Sequence, residues 1–324
     1  MPTLFIAGAG CSLGTLQCIK GVCPPVAYQF VSELEDRGWA NAYPELAKVI
    51  KHAKKAHQHV GLEELWTCID LHTKFPGAFP ISWEPRPVVC ELKSALVRMY
   101  GSSCDEISES ISMKDCCTVV GIANEIEAGD TLISFNYDTI IERVVSKIAK
   151  PPLRHGSDLK PETIRFAKPH GSTSWAVKKL THRVTGGAPI LDSLAHDAVR
   201  DTWPHLDPLL LGAVPLKSEL ISEVQEYYRS QRVFEVVREQ WITVAKAVAS
   251  ATRIVVLGYS FPKEDAYGRF FFNEGKAMRD DGLSLQVDVF NLNSDAVQSL
   301  GELFPNASSV CFKGPISAAK FCTT

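Results

Sequence analysis

Five short clusters in this chain combine residue types that can do chemistry with a position just past an apolar run. They are Gly8-Ala9-Gly10-Cys11-Ser12, Asn136-Tyr137-Asp138, Lys168-Pro169-His170-Gly171, Gly258-Tyr259-Ser260 and Asn291. In the first, glycine removes the Cβ that would hold a ligand away, so backbone amides at Gly8, Ala9 and Gly10 and the hydroxyl of Ser12 can approach a phosphate. A plain tight turn is the other reading, and the segment departs from the GxGxxG fingerprint because its third glycine is Gly14, one residue late. Asn136 and Asp138 alternate past a strand-like run and can project into one cleft, where an amide and a carboxylate suit sugar hydroxyls and a carboxamide. Asx turns and helix N-caps favour the same two residue types. His170 can exchange a proton near neutral pH beside a glycine that admits a ligand, or it can be a satisfied structural histidine.

These clusters need a scaffold that brings five turns to one edge. Thr3 to Ala7, Thr131 to Phe135, Thr163 to Ala167, Arg253 to Leu257, Leu285 to Phe290 and Val310 to Phe312 are β-compatible runs. Helical periods follow several of them, at Ile140, Ile141, Val144 and Val145 and from about Asp265 onward. Such alternation predicts an α/β fold, a Rossmann-like parallel sheet with helices on both faces and additional helical segments. The carboxyl ends of its strands, where these turns lie, are where such sheets bind ligands. Helical insertions are expected at about 26–125 and 174–251, with the stripe Phe234, Val237, Trp241, Val244, Ala245 and Val248 packing as core. Four prolines between Pro76 and Pro87 mark a surface loop.

Bulk properties narrow the partners. Thirty-four Lys and Arg against 37 Asp and Glu leave a net charge of -3, which provides no field for nucleic acid or acidic membranes. The basic run Lys51 to His59 could touch phosphate or metal, but a solvated helix face explains it as well. No run reaches the roughly 18 apolar residues of a membrane span, and no basic residue precedes the apolar start, so a cytoplasmic protein without a signal segment is expected. The ten cysteines contain no CxxC pair, which argues for free, mostly buried thiols and no metal.

Taken in order, the clusters resemble the sirtuin superfamily. Gly8 to Ser12 match its glycine-rich NAD loop, Asn136-Tyr137-Asp138 its NxD element, His170-Gly171 its catalytic histidine, Gly258-Tyr259-Ser260 its later phosphate-contacting GxS turn and Asn291 its adenosine-ribose contact. The resemblance runs from residue 8 to about 293 and implies a single NAD-binding domain over residues 1–324. Protein-deacylating sirtuins carry a zinc ribbon held by paired CxxC motifs between the His-Gly and GxS elements, whereas residues 174–251 here contain no cysteine. That departure resembles the bacterial defence-associated sirtuin-like domains. It implies an NAD hydrolase with NAD as substrate, catalytic Asn136, His170 and Asp138, and Gly8, Ala9, Gly10, Ser12, Gly258, Ser260 and Asn291 holding the dinucleotide. NAD depletion as antiviral defence, a homo-oligomer and a partner ATPase or other defence protein follow from the same resemblance. An NAD-dependent deacylase and a non-catalytic NAD or ADP-ribose sensor are the alternatives.

Overall fold

The computed structural model describes residues 2–13, 25–75, 83–110, 118–155, 161–178, 183–185, 206–210, 231–262, 265–280, 282–291, 295–305 and 307–314. In chain order the strands among them are β1 (Thr3–Ala7), β2 (Thr131–Ser134), β3 (Leu153–His155), β4 (Ile164–Ala167), β5 (Gly171–Lys178), β6 (Arg183–Thr185), β7 (Leu206–Leu210), β8 (Arg253–Leu257), β9 (Gln286–Phe290) and β10 (Ser309–Gly314). Between β1 and β2 come the helices α1 (Phe30–Asp36), α2 (Pro44–Ala56), α3 (Leu62–Lys74), α4 (Pro85–Ser110) and α5 (Thr118–Glu125). Helix α6 (Ile140–Ile148) follows β2, α7 (Gln231–Ser250) precedes β8, α8 (Ala266–Ala277) follows it, and α9 (Asp295–Leu303) follows β9.

Seven strands form one parallel sheet in the order β10-β9-β8-β1-β2-β4-β3. Because successive strand residues face opposite ways, apolar runs without polar alternation must be covered twice. Leu4, Ile6, Ile133, Ile254, Val256, Val287 and Val289 pack on Trp241, Val244 and Val248 of α7, Phe272 of α8 and Leu300 and Leu303 of α9. Phe5, Ala7, Leu132, Val255 and Leu257 face the other way, onto Val119 and Ile122 of α5 and Ile140, Ile141 and Val144 of α6. The α/β reading and its two covered faces are therefore observed. Helices α1 to α4 build a separate cluster around Leu34, Leu46, Val49, Leu65, Trp66, Leu92 and Leu96, which Tyr137 joins from the sheet edge.

The chain leaves β1, at the middle of the sheet, first toward β2, β4 and β3 and later toward β8, β9 and β10. Strand order thus reverses at β1, and a crevice opens at the carboxyl ends on either side of a reversal. Gly8, Asn136, Lys168, Gly258 and Asn291 directly follow, or lie within two residues of, the ends of β1, β2, β4, β8 and β9.

The described residues qualify four sequence expectations. In the segment 174–251, expected to be mostly helical, the described residues hold the long helix α7 and also β6, β7 and most of β5, an antiparallel sheet in the order β6-β5-β7 that the helical period did not announce. Alternation in Gly171–Lys178 and the pairing of short, distant strands set these three strands, and neither has a helical period. The glycine-rich segment does not open into a loop, because helix starts at residue 9 and continues through 13; Gly14 and the rest of 14–24 lie outside the described residues. The prolines of the predicted surface loop are divided: residues 76–82 lie outside the described residues, while Pro85 starts α4, a position where a missing N–H costs nothing. Among the described residues Cys11 is buried, Cys68 and Cys311 are half-buried and Cys90 is exposed, and all four are free thiols.

The basic stretch is a solvated helix end, with Lys51, Lys54, Lys55, His57 and His59 exposed and Lys54 paired to Glu35 at 2.6 Å. No helix among the described residues is long and apolar enough to cross a membrane.

Candidate functional site

The turn after β1 and the turn after β8 are pressed together. A Cβ on Gly8 would lie 2.6 Å from the Gly258 carbonyl oxygen, and one on Gly258 would lie 2.5 Å from the Cys11 nitrogen. The Gly8 amide donates to Leu257 O at 2.9 Å, Gly10 to Gly258 O at 3.1 Å and Cys11 to Gly8 O at 2.9 Å. These glycines therefore allow close loop packing, and two amides of the expected phosphate cradle, those of Gly8 and Gly10, already donate within the protein, as does that of Cys11.

Asn136 fastens the β2 turn to this pair. Its amide nitrogen donates to Gly8 O at 2.9 Å and to Ser12 Oγ at 2.8 Å. With both N–H groups so engaged, the side chain offers a ligand its Oδ1, an acceptor suited to a water or a sugar hydroxyl. Ser12 in turn hydrogen-bonds the Asp138 carboxylate, so one hydroxyl links the glycine-rich segment to both polar residues of the NxD turn. Asp138 Oδ1 also accepts from the Ile140 N–H at 3.0 Å at the start of α6. Burial pushes its carboxyl above the ordinary range, opposed by the Lys168 charge, the Ile140 N–H and Ser12.

His170 follows β4 and lies in an aromatic enclosure. Phe135 meets its ring edge-on at 5.2 Å between centroids, Trp241 is at 6.0 Å and Tyr137 at 6.3 Å. Its Nε2 is 3.0 Å from Asp265 Oδ2. That carboxylate also accepts from Tyr259 OH at 2.7 Å and, through Oδ1, from the Gly268 N–H at 3.1 Å, capping α8. Burial and the Asp265 charge push the Tyr259 phenol well above its ordinary value, so it stays protonated and donates.

Two further buried ions brace the turns from behind. Lys168, 1% exposed, donates from Nζ to Glu142 Oε1 at 2.6 Å and to the Asp138 carbonyl. Its backbone N–H donates to Gln240 Oε1 at 2.9 Å, tying the turn to α7. The Thr173 N–H and hydroxyl both reach the Tyr137 carbonyl, at 2.8 and 3.1 Å, which fixes the NxD turn against β5.

No protein-family model matches the chain, and no curated protein matches it. The chain is similar to a solved structure described as "The Structural basis for Sirtuin Substrate affinity", at 12% identity over 94% of this chain and 92% of that one, with a TM-score of 0.33. The fold described above rests on strand order and register, not on that likeness.

Of the residues singled out from sequence, Gly8, Gly10, Ser12, Asn136, Asp138 and Gly258 form one connected group. His170 joins it across Phe135, which stacks on Tyr259 with centroids 4.2 Å apart. Ala9 is half-buried at the start of the short helical segment over residues 9–13. Ser260 is exposed, and Asn291 touches the turn through Nδ2 to the Tyr259 carbonyl at 3.4 Å. Asn136, Asp138 and His170 are all buried. Sequence reasoning gave no role to Glu142, or to Lys168 and Tyr259 within their clusters, and took Asp265 as a helix start alone. The one local signal was an acid six residues after Tyr259 at a strand-to-helix turn. Among the described residues no group of His, Cys, Asp or Glu could hold a metal ion.

Proposed function

We propose that this chain binds NAD at the carboxyl edge of its parallel sheet and hydrolyses the nicotinamide–ribose bond. The observation that carries the reading is the convergence of Asn136 and His170, from two different strands, beside the paired glycine turns at the strand-order reversal. In this reaction the bond between ribose C1′ and the nicotinamide nitrogen breaks, and its electron pair neutralises the pyridinium. Water oxygen bonds C1′, and the proton it loses passes to His170, directly or through a ribose hydroxyl. Asn136 Oδ1 orients the water or hydroxyl, and Asp138 addresses the carboxamide. Nicotinamide, ADP-ribose and one proton result. The half-buried backbone from Ala9 to Gly10, with Ser260 and Asn291, would lie along the dinucleotide.

The biological reading rests on the resemblance to the bacterial defence-associated sirtuin-like domains, which the lack of paired cysteines between His170 and Gly258 suggests. We assign the chain to NAD depletion in bacterial anti-phage defence, acting in the cytoplasm and restrained by homo-oligomerisation or by a partner such as an ATPase.

Incubation with NAD, with and without an acetylated peptide, followed by chromatography tests the reaction. The expected products are nicotinamide and ADP-ribose without peptide. His170→Ala should lower turnover about 10²–10⁴-fold in protein that still folds, and Asn136→Ala should abolish it. Peptide-dependent acetyl-ADP-ribose would make the protein a deacylase, and bound but intact NAD would make it a sensor.

A further inference from the structure

Asp265 and His170 are 95 positions apart, and the fold closes them to 3.0 Å with Asp265 wholly buried. A buried carboxylate is stable as an anion only when its oxygens are satisfied, and this one takes Tyr259 OH, the Gly268 N–H and His170 Nε2. Capping α8 needs Oδ1 alone, so helix formation does not account for the two partners on Oδ2. The turn that sets this up is strained. Phe261, with φ of +52°, carries the strain and is held there by burial against Tyr259 and Phe272.

We infer that Asp265 is the positioning residue for His170, fixing its tautomer and compensating the charge it acquires. With the proton of the neutral imidazole on Nε2, facing Asp265, the lone pair lies on Nδ1. A proton taken from water or a ribose hydroxyl goes to Nδ1, and the imidazolium then forms beside a carboxylate that does not itself become protonated. The Tyr259 phenol moderates the carboxylate by sharing its negative charge. Other titratable groups around the pair are Tyr137 and Asp138 from the β2 turn, Lys168 from the β4 turn, Glu63 from α3 and Arg269 from α8. This inference rests on the reading of His170 as the proton acceptor.

Two readouts separate the two ideas. In a titration of ¹⁵N-histidine-labelled protein followed by NMR, with the His170 signal identified by its loss in His170→Gln, Asp265→Asn should lower the His170 pKa by about one to three pH units. Tyr259→Phe, which leaves the stack on Phe135 in place, should raise it, because the carboxylate loses a competing donor. In NAD cleavage, Asp265→Asn should reduce kcat by about 10²–10⁴-fold with little change in KM, and move the acid limb of the pH profile to lower pH. A purely structural role would lower the melting temperature and leave the His170 pKa in place. An unmoved His170 pKa in Asp265→Asn overturns the pairing. If Asp265→Asn does not fold, Tyr259→Phe decides, an upward shift supporting the pairing and no shift overturning it. Wild-type protein that releases no nicotinamide defeats the hydrolase reading, while the NMR titration still decides the pair.

Discussion

Gly258 carries two constraints at once, a left-handed backbone and a space only a hydrogen can fill. Its φ of +62° costs an L side chain about 1–2 kcal/mol, and a Cβ there would lie 2.5 Å from backbone atoms of Gly10 and Cys11. Gly258→Ala is therefore expected to push the β1 and β8 turns apart, lowering the melting temperature and NAD cleavage together. Gly301 in α9 is the control, since nothing lies within 4 Å of its added Cβ. Gly301→Ala should raise stability by about 0.5–1 kcal/mol in urea unfolding and leave turnover alone. Glycine clusters were visible in the sequence, but the contact they make with one another was not. The sequence shows that a Cβ is absent, and it does not show whether a ligand or a neighbouring loop fills the space.

Between elements, the join that matters most is the turn after β4 against the start of α6. Lys168 and Glu142 form a buried ion pair across it, and Glu142 Oε2 has no hydrogen-bond partner among the described residues. Burial pushes the Glu142 carboxyl above its ordinary range, with the Lys168 charge pulling it back, so desolvation dominates. Lys168→Met should destabilise by about 3–5 kcal/mol, because it leaves an uncompensated buried carboxylate. Lys168→Met combined with Glu142→Leu should recover most of that loss in urea unfolding. A double variant no more stable than the single one would show that the pair specifies geometry beyond its charges. Every strand of the parallel sheet except the edge strand β3 was legible in the sequence, since runs such as Thr131–Ser134 and Arg253–Leu257 are apolar and end in polar or glycine turns, whereas Leu153–His155 is too short to stand out. Strands β6 and β7 were not, because a three-residue strand such as Arg183–Thr185 has no period to read and exists only by pairing with β5.

For the whole molecule, acid sensitivity should appear where the two sheets meet. His155 on the edge strand β3 packs against Phe166 of the large sheet, at 4.7 Å between centroids, and Trp175 of the small one, at 5.2 Å. Burial, helped by the Lys168 charge and opposed by Gln240, pushes its pKa down to about 4 from 6.5. The unfolded chain then binds the proton more tightly than the folded one. The contribution of neutral His155 is complete above about pH 6.5 and is lost as pH falls toward about 4, up to about 3 kcal/mol. His155→Phe should flatten the dependence of unfolding free energy on pH across that window, measured by urea titration at several pH values.

Composition and period by themselves determined that this chain is an α/β protein with turns at the carboxyl ends of parallel strands. They also determined that Asn136, Asp138 and His170 are placed in such turns, because apolar runs and their punctuation are local properties of the chain. Only the tertiary structure decided that Ser12 links Asn136 to Asp138, that the glycines serve a loop-to-loop contact, and that Asp265 meets His170. Those contacts join residues 95 or more positions apart, and their partners are chosen by which strands lie side by side, which no local pattern encodes.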